Sequence, residues 1–462
     1  MTRVLIAGIA PLPFEEVDKN YGPGIRTWQL ARGLADAGHD VQVLAMTLDD
    51  AYAGRTPRAR EEVDGVVIER CTPHELLVSD RPQRLMADLR PEAVVGATVY
   101  GAYAIARFRP EQPFWADQFG HVMAEAQAKA FLDRDNRAVG FFWRALRPVL
   151  AWADHFSVVS ERQRWAAIGE LGAAGRLLAE TTGHELVSVM PCAHMPSHAA
   201  APPATTPRRR EDPFVVLWSG SFNTWSDVDT LAAALEEAMR RDTRIRFLAT
   251  GGSIPGHDES TYRRFVERVE ASPFRERFEL RGWVPTSDLP PIVGQAHLGV
   301  LCERPIYEGA LGSKNRVVQW LAQGLPVAYN RIGDLGEHLA NEAIGLTFPP
   351  GDAAALAAAI RDAADRPEEM VAMAQRATAW VNDHGSIGAT TAPLVAWVES
   401  PRPAPDASVK GRFASPDAWE HADPGATPDA TPPAAPPPGT GASSWGRRAA
   451  RRILRRLRPN GR

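Results

Sequence analysis

Short runs of β-branched and other apolar residues alternate with helical segments along most of this chain. The first unit is complete: an apolar run at Val4–Ala10, apolar residues at helical spacing over Ile25–Ala35, and a second run at Val41–Met46. Two strands joined through a crossover helix connect in the right-handed sense and lie parallel in one sheet. The alternation therefore predicts an α/β fold built on parallel sheets.

The alternation falls into two series, which predict two domains. A segment of linker composition, 199–211, separates residues 1–198 from residues 212–384, and a last helix over 385–400 is assigned to the first domain. Two doubly wound domains in series place a cleft between the carboxyl ends of their sheets, where ligands bind in this class. The predicted strands are Val4–Ala10, Val41–Met46, Val66–Glu69, Ala93–Thr98, Phe114–Trp115, Phe156–Val159 and Val187–Met190, then Phe214–Trp218, Ile245–Thr250, Phe278–Leu280, Leu298–Leu301, Val327–Tyr329 and Gly345–Thr347.

Composition is ordinary for a globular protein, with 44% hydrophobic and 23% charged residues in 462. The three cysteines are far apart and show no metal or redox spacing, which fits a reducing cytoplasm. The sequence has no run of eighteen apolar residues. The short apolar start is predicted to be a buried strand rather than a signal peptide. A cytoplasmic protein is therefore expected.

The C-terminal region differs in composition from the rest. Residues 401–444 are rich in Pro, Ala, Gly, Thr and Asp, which predicts a disordered tether. The net charge is −4, but the last sixteen residues hold eight arginines and no acid, so the rest carries −12. An acidic body argues against specific nucleic-acid binding. On a helix over 445–462, an apolar face containing Trp445, Ile453 and Leu457 opposes most of the arginines. This predicts peripheral attachment to the anionic inner face of the plasma membrane; the alternative is a disordered basic tail binding nucleic acid nonspecifically.

The segment Leu311–Val327 predicts a loop, a short helix and a buried strand. Ser313 is a good N-cap, which would place Lys314 and Arg316 in the first helical turn. Cations there oppose the helix dipole unless an anion lies against them, and a helix N-terminus itself binds phosphate. Gln319 falls on the same face as Arg316 and could bond a neutral polyol beside that anion. The segment is typical of a nucleotide-sugar site; the alternative is a solvated basic turn.

Two loops after predicted strands contain further candidates. Gly22 and Gly24, between the first strand and first helix, would let the backbone approach a ligand in the cleft. No G-x-G-x-x-G fingerprint follows a strand, which argues against an NAD enzyme. After the strand Phe214–Trp218, Ser226 could cap the next helix. A cap at Ser226 does not explain the other polar positions of this loop, which could hydrogen-bond a ligand. These are Gly220, Ser221, Asn223 and Thr224.

Acid–base candidates follow another strand of the first domain. Asp117 and His121 would lie at the cleft and could orient or deprotonate a hydroxyl, although a histidine that caps a helix is the commoner case. His257–Glu259 has metal-ligand residue types, but adjacent residues on a helix do not face one point. A helix start is the better interpretation of that triplet.

Together these motifs resemble the GT-B glycosyltransferases, specifically the large retaining family four, over about residues 3–399. At the position of the family's second glutamate, which contacts the nucleotide ribose, this chain has Gln319, and Glu308 is a displaced candidate for the first. Ser221 and Ser226 stand where the family has basic residues. The segments that match are Gly22–Val41, Val187–Ala193, Leu280–Pro285 and, most specifically, Gln319-Trp-Leu-Ala-Gln-Gly-Leu-Pro-Val327.

The resemblance implies two Rossmann-like domains facing a cleft and the transfer of a sugar from a nucleotide-diphosphate sugar to a hydroxyl, with retention. The implied acceptor is a glycan or lipid-linked precursor of a cell-envelope polysaccharide, and no cofactor or metal is expected. A nucleotide-sugar epimerase of the same fold and a non-catalytic partner subunit remain alternatives. The predicted donor-binding residues are Lys314, Arg316, Asn315, Gln319, Glu308, Gly220, Ser221, Asn223 and Thr224.

Overall fold

The computed structural model describes residues 1–195, 209 and 211–410. They form two α/β domains, each built on one largely parallel sheet. None of the helices in these ranges combines the length and apolar character needed to span a membrane. The linker residues 199–208 and 210, most of the predicted tether, and the tail with Trp445, Ile453 and Leu457 lie outside the described residues.

The first domain contains an eight-stranded sheet of order β3-β4-β2-β1-β5-β6-β7-β8. Its strands are β1 Arg3–Ile9, β2 Asp40–Met46, β3 Arg60–Val63, β4 Val66–Cys71, β5 Ala93–Gly96, β6 Phe114–Gln118, β7 His155–Val158 and β8 Val187–Val189. Its helices are α1 Gly22–Asp36, α2 Asp49–Tyr52, α3 Pro73–Leu77, α4 Arg81–Leu89, α5 Thr98–Ala106, α6 Val122–Asp133, α7 Arg137–Trp152 and α8 Glu161–Ala173.

All seven strands predicted for this domain form, and they pair in parallel. The short edge strand β3 was not predicted, and it pairs antiparallel with β4. Its sequence, Arg-Glu-Glu-Val, has no apolar alternation because the strand is solvated at the edge of the sheet. Along β1, Val4 and Ile6 enter one apolar cluster and Leu5, Ala7 and Ile9 enter the other. Both faces of this sheet are therefore covered, as parallel sheets require.

The second domain contains a six-stranded, wholly parallel sheet of order β11-β10-β9-β12-β13-β14. All six predicted strands are present. The strands are β9 Phe214–Trp218, β10 Ile245–Ala249, β11 Phe278–Leu280, β12 Leu298–Leu301, β13 Val327–Asn330 and β14 Leu346–Phe348. Its helices are α9 Val228–Arg241, α10 Ser260–Glu270, α11 Leu289–Gln295, α12 Tyr307–Leu311, α13 Asn315–Ala322, α14 Gly333–Asn341, α15 Ala353–Asp365 and α16 Pro367–His384, and they are followed in the chain by α17 Ile387–Glu399.

The last helix, α17, leaves the second domain and packs on α1 of the first. Gln29 Nε2 donates to Thr390 Oγ1 at 2.8 Å. A Cβ on Gly33 would lie 2.1 Å from Thr391 Oγ1, so only glycine allows this approach of the two helices. Leu394 and Val398 of α17 complete an apolar cluster of the first domain. The chain therefore crosses between the domains twice.

Residues 401–410 correct the prediction that the 401–444 segment is disordered from its start. Asp406, fully buried, forms a bidentate ion pair with the guanidinium of Arg176, three residues after the end of α8. The Ala404 N–H donates to Asp154 Oδ1 at 2.6 Å, and the Lys410 ammonium pairs with the same carboxylate. The composition suggested disorder because the anchoring residues are few, but Asp406 and Lys410 each neutralise a buried charge of the first domain.

Candidate functional site

A cleft with a volume of about 1430 Å³ separates the two domains and is lined by loops from both. Direct contacts join the domains along one side of it. Ser160 Oγ donates to the Leu311 carbonyl at 2.6 Å, and the Glu161 N–H donates to Asp334 Oδ2 at 2.6 Å. Arg162 pairs with the same aspartate at 3.1 Å. The carboxylate of Asp334 thus lies at the N-terminus of α8, where the helix dipole favours it.

Helix α13 begins one residue later than the sequence analysis predicted. Lys314, not Ser313, is the N-cap residue, and no side chain caps this helix. Lys314, Asn315 and Arg316 all line the cleft, as does Gln319, whose Nε2 donates to the Ala193 carbonyl at 3.4 Å. The first-turn N–H groups therefore have no side-chain acceptor and lie at the wall of the cleft, the arrangement that binds anions.

Lys314 is not the free cation that the sequence analysis expected. Its Nζ lies 2.9 Å from Glu303 Oε1 and 3.2 Å from Glu308 Oε1, and the side chain is 9% exposed. Glu303 also accepts a hydrogen bond from the Tyr329 hydroxyl at 2.8 Å. Burial raises the pKa of Glu308 to about 7, against the opposing effect of Lys314. The charge of Lys314 is thus balanced within a buried cluster, and little is left over for a ligand phosphate.

Sequence reasoning missed Glu303, although its position offered a signal. It follows β12 by two residues and faces the cleft. Glu125 of α6 was missed as well; it lines the cleft from the first domain and pairs with Lys129 at 2.7 Å. Carboxylates from both domains, with Glu308, therefore face the same space.

Arg316, in contrast, keeps an unsatisfied donor. Its Nη2 donates to the Ser221 carbonyl at 2.9 Å, and its guanidinium carbon lies 4.9 Å from the centroid of the Trp218 ring. Its Nη1 is buried and has no hydrogen-bond partner. Burial lowers the pKa of Arg316 to about 10, which still leaves it protonated at neutral pH. Arg316 is thus a desolvated cation with a spare N–H in the cleft wall, which favours an anionic ligand.

The backbone around Arg316 is shaped by glycine. Gly220 has a φ of +90°, and a Cβ there would lie 3.5 Å from Arg316 Nη2. Gly251 has a φ of +86°, and its Cβ would lie 2.1 Å from the Gly220 carbonyl oxygen. Both conformations favour glycine. The loops after β9 and β10 can pack this closely only because both positions lack a side chain.

The same β9–α9 loop carries unsatisfied neutral groups. Asn223 Oδ1 lines the cleft and Thr224 Oγ1 is buried beside it, and neither has a hydrogen-bond partner. The predicted cap at Ser226 is wrong: Asp227 caps α9 by accepting from the Thr230 N–H at 3.1 Å. Ser226 Oγ accepts from the Asn223 N–H instead, which braces the loop.

The two glycines of the β1–α1 loop have different surroundings. Gly22 lines the cleft, and a Cβ there would lie 3.2 Å from Phe119 and 3.4 Å from Asn315 Nδ2. Gly24 does not line the cleft, and its Cβ would lie 1.9 Å from the Pro11 carbonyl oxygen. Gly24 is therefore required by packing within the first domain, and the ligand approach predicted for it is wrong.

The predicted acid–base pair is engaged in structural contacts. The Asp117 carboxylate is fully buried, forms a bidentate ion pair with Arg26, and accepts from Ser157 Oγ at 2.7 Å. His121 is absent from the residues that line the cleft; its Nδ1 accepts from the Ala124 N–H and so caps α6. Neither side chain is placed to deprotonate a bound hydroxyl. The helix-capping alternative is the one the structure supports for His121.

The triplet 257–259 starts a helix, as interpreted from the sequence. Asp258 Oδ1 accepts from the N–H groups of Ser260 and Thr261, the first residues of α10. Within the described part of the chain, no group of three or more His, Cys, Asp or Glu side chains is arranged to hold a metal ion.

Two family models match the chain, one in each domain. Residues 21–179 match the glycosyl transferase 4-like domain, and residues 213–366 match glycosyl transferases group 1. No curated protein matches the sequence at a significant level.

Solved structures share the fold at low sequence identity. Sucrose-phosphate synthase from Thermosynechococcus elongatus is 17% identical, with a TM-score of 0.67 over 87% of this chain and 100% of that chain. HepE from Anabaena, solved in complex with UDP-glucose, is 14% identical, with a TM-score of 0.61 over the same shares. The α,α-trehalose 6-phosphate synthase from Burkholderia multivorans is 13% identical, with a TM-score of 0.59 over 86% of this chain and 96% of that chain.

These likenesses at such identities establish the two-domain GT-B fold. The two family matches lie in chain order, one on each side of the cleft. The chain thus combines a glycosyl transferase 4-like domain with a glycosyl transferases group 1 domain in a GT-B fold.

Proposed function

We propose that this protein transfers a sugar from a nucleotide-diphosphate sugar to a hydroxyl acceptor. The observation that carries the proposal is Arg316, whose buried Nη1 has no partner in the cleft wall. The uncapped N-terminus of α13 lies beside it. A diphosphate would satisfy both, through a charge-assisted hydrogen bond to the guanidinium and contacts to the first-turn N–H groups.

This placement suits the chemistry of glycosyl transfer. Negative charge grows on the departing diphosphate as the sugar becomes oxocarbenium-like, and a fixed cation with preorganised N–H groups stabilises that charge. Neither Asp117 nor His121 is free to act as a base. The leaving phosphate itself would accept the acceptor's proton, as the resemblance to retaining enzymes implies. Retention and a reaction without metal or cofactor are parts of this proposal.

The donor's sugar would lie against the carboxylates on the other side of α13. Glu303 and Glu308 are held by Lys314, and carboxylate oxygens accept hydrogen bonds from sugar hydroxyls. The Anabaena structure in complex with UDP-glucose supports a nucleotide sugar as the donor class. Gln319 and Asn315, which also line the cleft, are proposed to contact the nucleoside end.

The test is ligand binding by the full chain. We expect one nucleotide diphosphate, and its sugar, to raise the melting temperature above all others in a panel. Arg316→Ala should weaken that ligand by about 1.5–3 kcal/mol, or roughly 10- to 150-fold. Arg331→Ala is the control, because Arg331 is exposed and pairs with Glu337 outside the cleft. Equal affinity in the Arg316→Ala and wild-type proteins would exclude this site.

Product analysis separates the alternatives. An epimerase would release a free epimer without any acceptor, and a non-catalytic partner subunit would bind the nucleotide sugar without slow hydrolysis. A transferase leaves a trace of free sugar and nucleoside diphosphate from the donor alone, and much more when an acceptor is present.

The acceptor is proposed to be a lipid-linked or cell-surface polysaccharide precursor, reached from the cytoplasmic side of the membrane. The support is the sequence of the 445–462 tail, which on a helix would place Trp445, Ile453 and Leu457 on one face and most of the arginines on the other. We predict salt-sensitive sedimentation with anionic liposomes that is lost on deleting 445–462 and weakened by Ile453→Glu. Undiminished binding by Ile453→Glu would leave simple charge attraction as the explanation.

A further inference from the structure

Two buried polar side chains at the carboxyl edge of the first sheet have no partner. β5 and β6 are neighbouring parallel strands; Thr98 follows the end of β5 by two residues and Gln118 is the last residue of β6, so both lie at the carboxyl edge of the sheet. Thr98 is 4% exposed and Gln118 is 7% exposed. Thr98 Oγ1 and Gln118 Nε2 are buried without a hydrogen bond, and both residues line the cleft. Buried polar groups left unpaired in this way are rare and point to a ligand.

The backbone at Thr98 gives a second, independent observation. Its φ is +64°, a left-handed conformation that a β-branched residue rarely adopts. Strain of this kind persists where surrounding structure imposes it, and it is concentrated at binding sites. The strand order has a topological switch point between β1 and β5, because β2 lies on one side of β1 and β5 lies on the other. Thr98 follows β5 and therefore lies at this point. That switch point is where doubly wound sheets bind ligands.

The wall beside this pair is apolar and reaches the core of the first domain. Side chains of α5 and α7 line it, and three of them are at most 5% exposed even though the cleft reaches them. An apolar body could therefore lie between these helices. The residues of this wall are Tyr100, Phe141, Phe142, Leu146 and Val149.

Charge divides the cleft into two unlike halves. Among the described cleft-lining residues of the first domain, the cations are Arg32, Lys129 and Arg137, and each is paired with a carboxylate. Arg316 in the second domain keeps an unpartnered nitrogen. A phosphate is thus matched in the second domain and not in the first. The first-domain half also contains carboxylates such as Asp117 and Glu125, and these are paired with Arg26 and Lys129. With charges balanced in this way, a neutral molecule is the better match.

We propose that Thr98 and Gln118 form an acceptor subsite for an uncharged, hydroxyl-bearing molecule with an apolar body, such as a neutral sugar joined to an alkyl chain. The Gln118 amide donates to an oxygen of the acceptor, and the Thr98 hydroxyl bonds the neighbouring hydroxyl. The apolar body packs against the α5–α7 wall. This inference rests on the proposed function, since it names the class of acceptor.

The experiment uses the full chain and two variants that remove the hydrogen bonds while keeping shape, Thr98→Val and Gln118→Leu. Calorimetry with UDP, dTDP, CDP, GDP and ADP first establishes nucleotide binding. With the best of these nucleotides bound, hexyl β-D-glucoside and glucose 6-phosphate are then titrated as neutral and anionic probes. We expect hexyl glucoside to bind at least tenfold more tightly than glucose 6-phosphate. Each variant should weaken hexyl glucoside binding about three- to tenfold while nucleotide affinity is unchanged.

Thermal unfolding separates a binding role from a structural one. Because neither side chain has a partner in the free protein, its removal should leave the melting temperature unchanged or higher. Wild-type protein that binds none of these nucleotides would overturn the proposed function and this inference together. If nucleotides do bind, three results would overturn this inference alone. These are that hexyl glucoside does not bind, that glucose 6-phosphate binds as tightly, or that both variants bind hexyl glucoside as wild type does.

Discussion

Lys314 and Arg316 stand two residues apart in the chain but in opposite electrostatic surroundings. Lys314 contacts two glutamates, whereas Arg316 contacts a carbonyl and an aromatic ring and retains a free N–H. The sequence predicted both cations at the helix start. The sequence could not predict their different surroundings, because the contact between Lys314 and Glu303, which follows β12, forms only in the folded chain.

This difference predicts that Lys314 contributes mainly to stability. Lys314→Met leaves Glu303 and Glu308 buried beside each other without a cation, which should cost about 3–5 kcal/mol of unfolding free energy at pH 8. Urea unfolding monitored by tryptophan fluorescence measures it. Lys314→Arg, which keeps the charge, is the control and should lose much less. Equal stability of Lys314→Met and wild type would show that the cluster is not neutralised by Lys314.

A second residue-scale prediction concerns pH. Burial raises the pKa of Glu170 to about 7, and Glu170 Oε1 lies 3.3 Å from His121 Nε2. The folded-state pKa lies above the ordinary glutamate value of 4.5, so this group's contribution to stability is complete below pH 4.5 and is lost as pH rises through 7. Glu170→Gln, which cannot ionise, should therefore be more stable than wild type at pH 8 by about 1–3 kcal/mol.

At pH 4.5 the same variant should differ little from wild type. Glu170 in the folded wild-type protein is then protonated, so it is as neutral as the glutamine that replaces it. Unfolding free energies at the two pH values test this. A variant with the same deficit or gain at both values would show that ionisation of Glu170 is not responsible.

At the scale of elements, the apolar pattern of the sequence predicted most of the strands. The edge strand β3 and the start of α13 depend instead on side-chain contacts and solvent exposure. Every predicted strand formed, since buried parallel strands have a strong apolar signal. Strand β3 was missed because it is charged, and the start of α13 was displaced because Ser313 does not make the expected cap. The catalytic interpretation of His121 failed because a capping histidine and a catalytic one look alike in sequence.

The segment 401–410 gives a prediction at this scale. A chain that stops after Ser400 loses Asp406, leaving the Arg176 guanidinium, which is 2% exposed, without its carboxylate. We expect it to be less stable than a chain that stops after Lys410 by about 3–5 kcal/mol. Asp406→Asn in the longer chain is the matched variant and should lose part of the same stability. Identical melting of the two truncated chains would show that the segment is dispensable.

At the scale of the whole molecule, the domains are joined by more than their linker. Helix α17 and residues 401–410 follow the second domain in the chain but pack on the first. Arg162 of the first domain also pairs with Asp334 of the second. The sequence indicated two alternating series, but it could not indicate how firmly the two domains hold each other, because those contacts join residues far apart in the chain.

Limited proteolysis tests this arrangement. Trypsin should cut first within Arg208–Arg210, where the composition is that of a linker, or in the arginine-rich tail. A cut at 208–210 gives two bands on a denaturing gel. The two fragments should nevertheless elute together in size exclusion, because the C-terminal fragment contains α17, which packs on the N-terminal fragment. A variant with glutamine at 208, 209 and 210 is the control and should lose the cut that separates the two fragments. First cleavage within 214–384 would contradict the domain boundary, and separate elution would show that the α1–α17 packing does not hold the domains together.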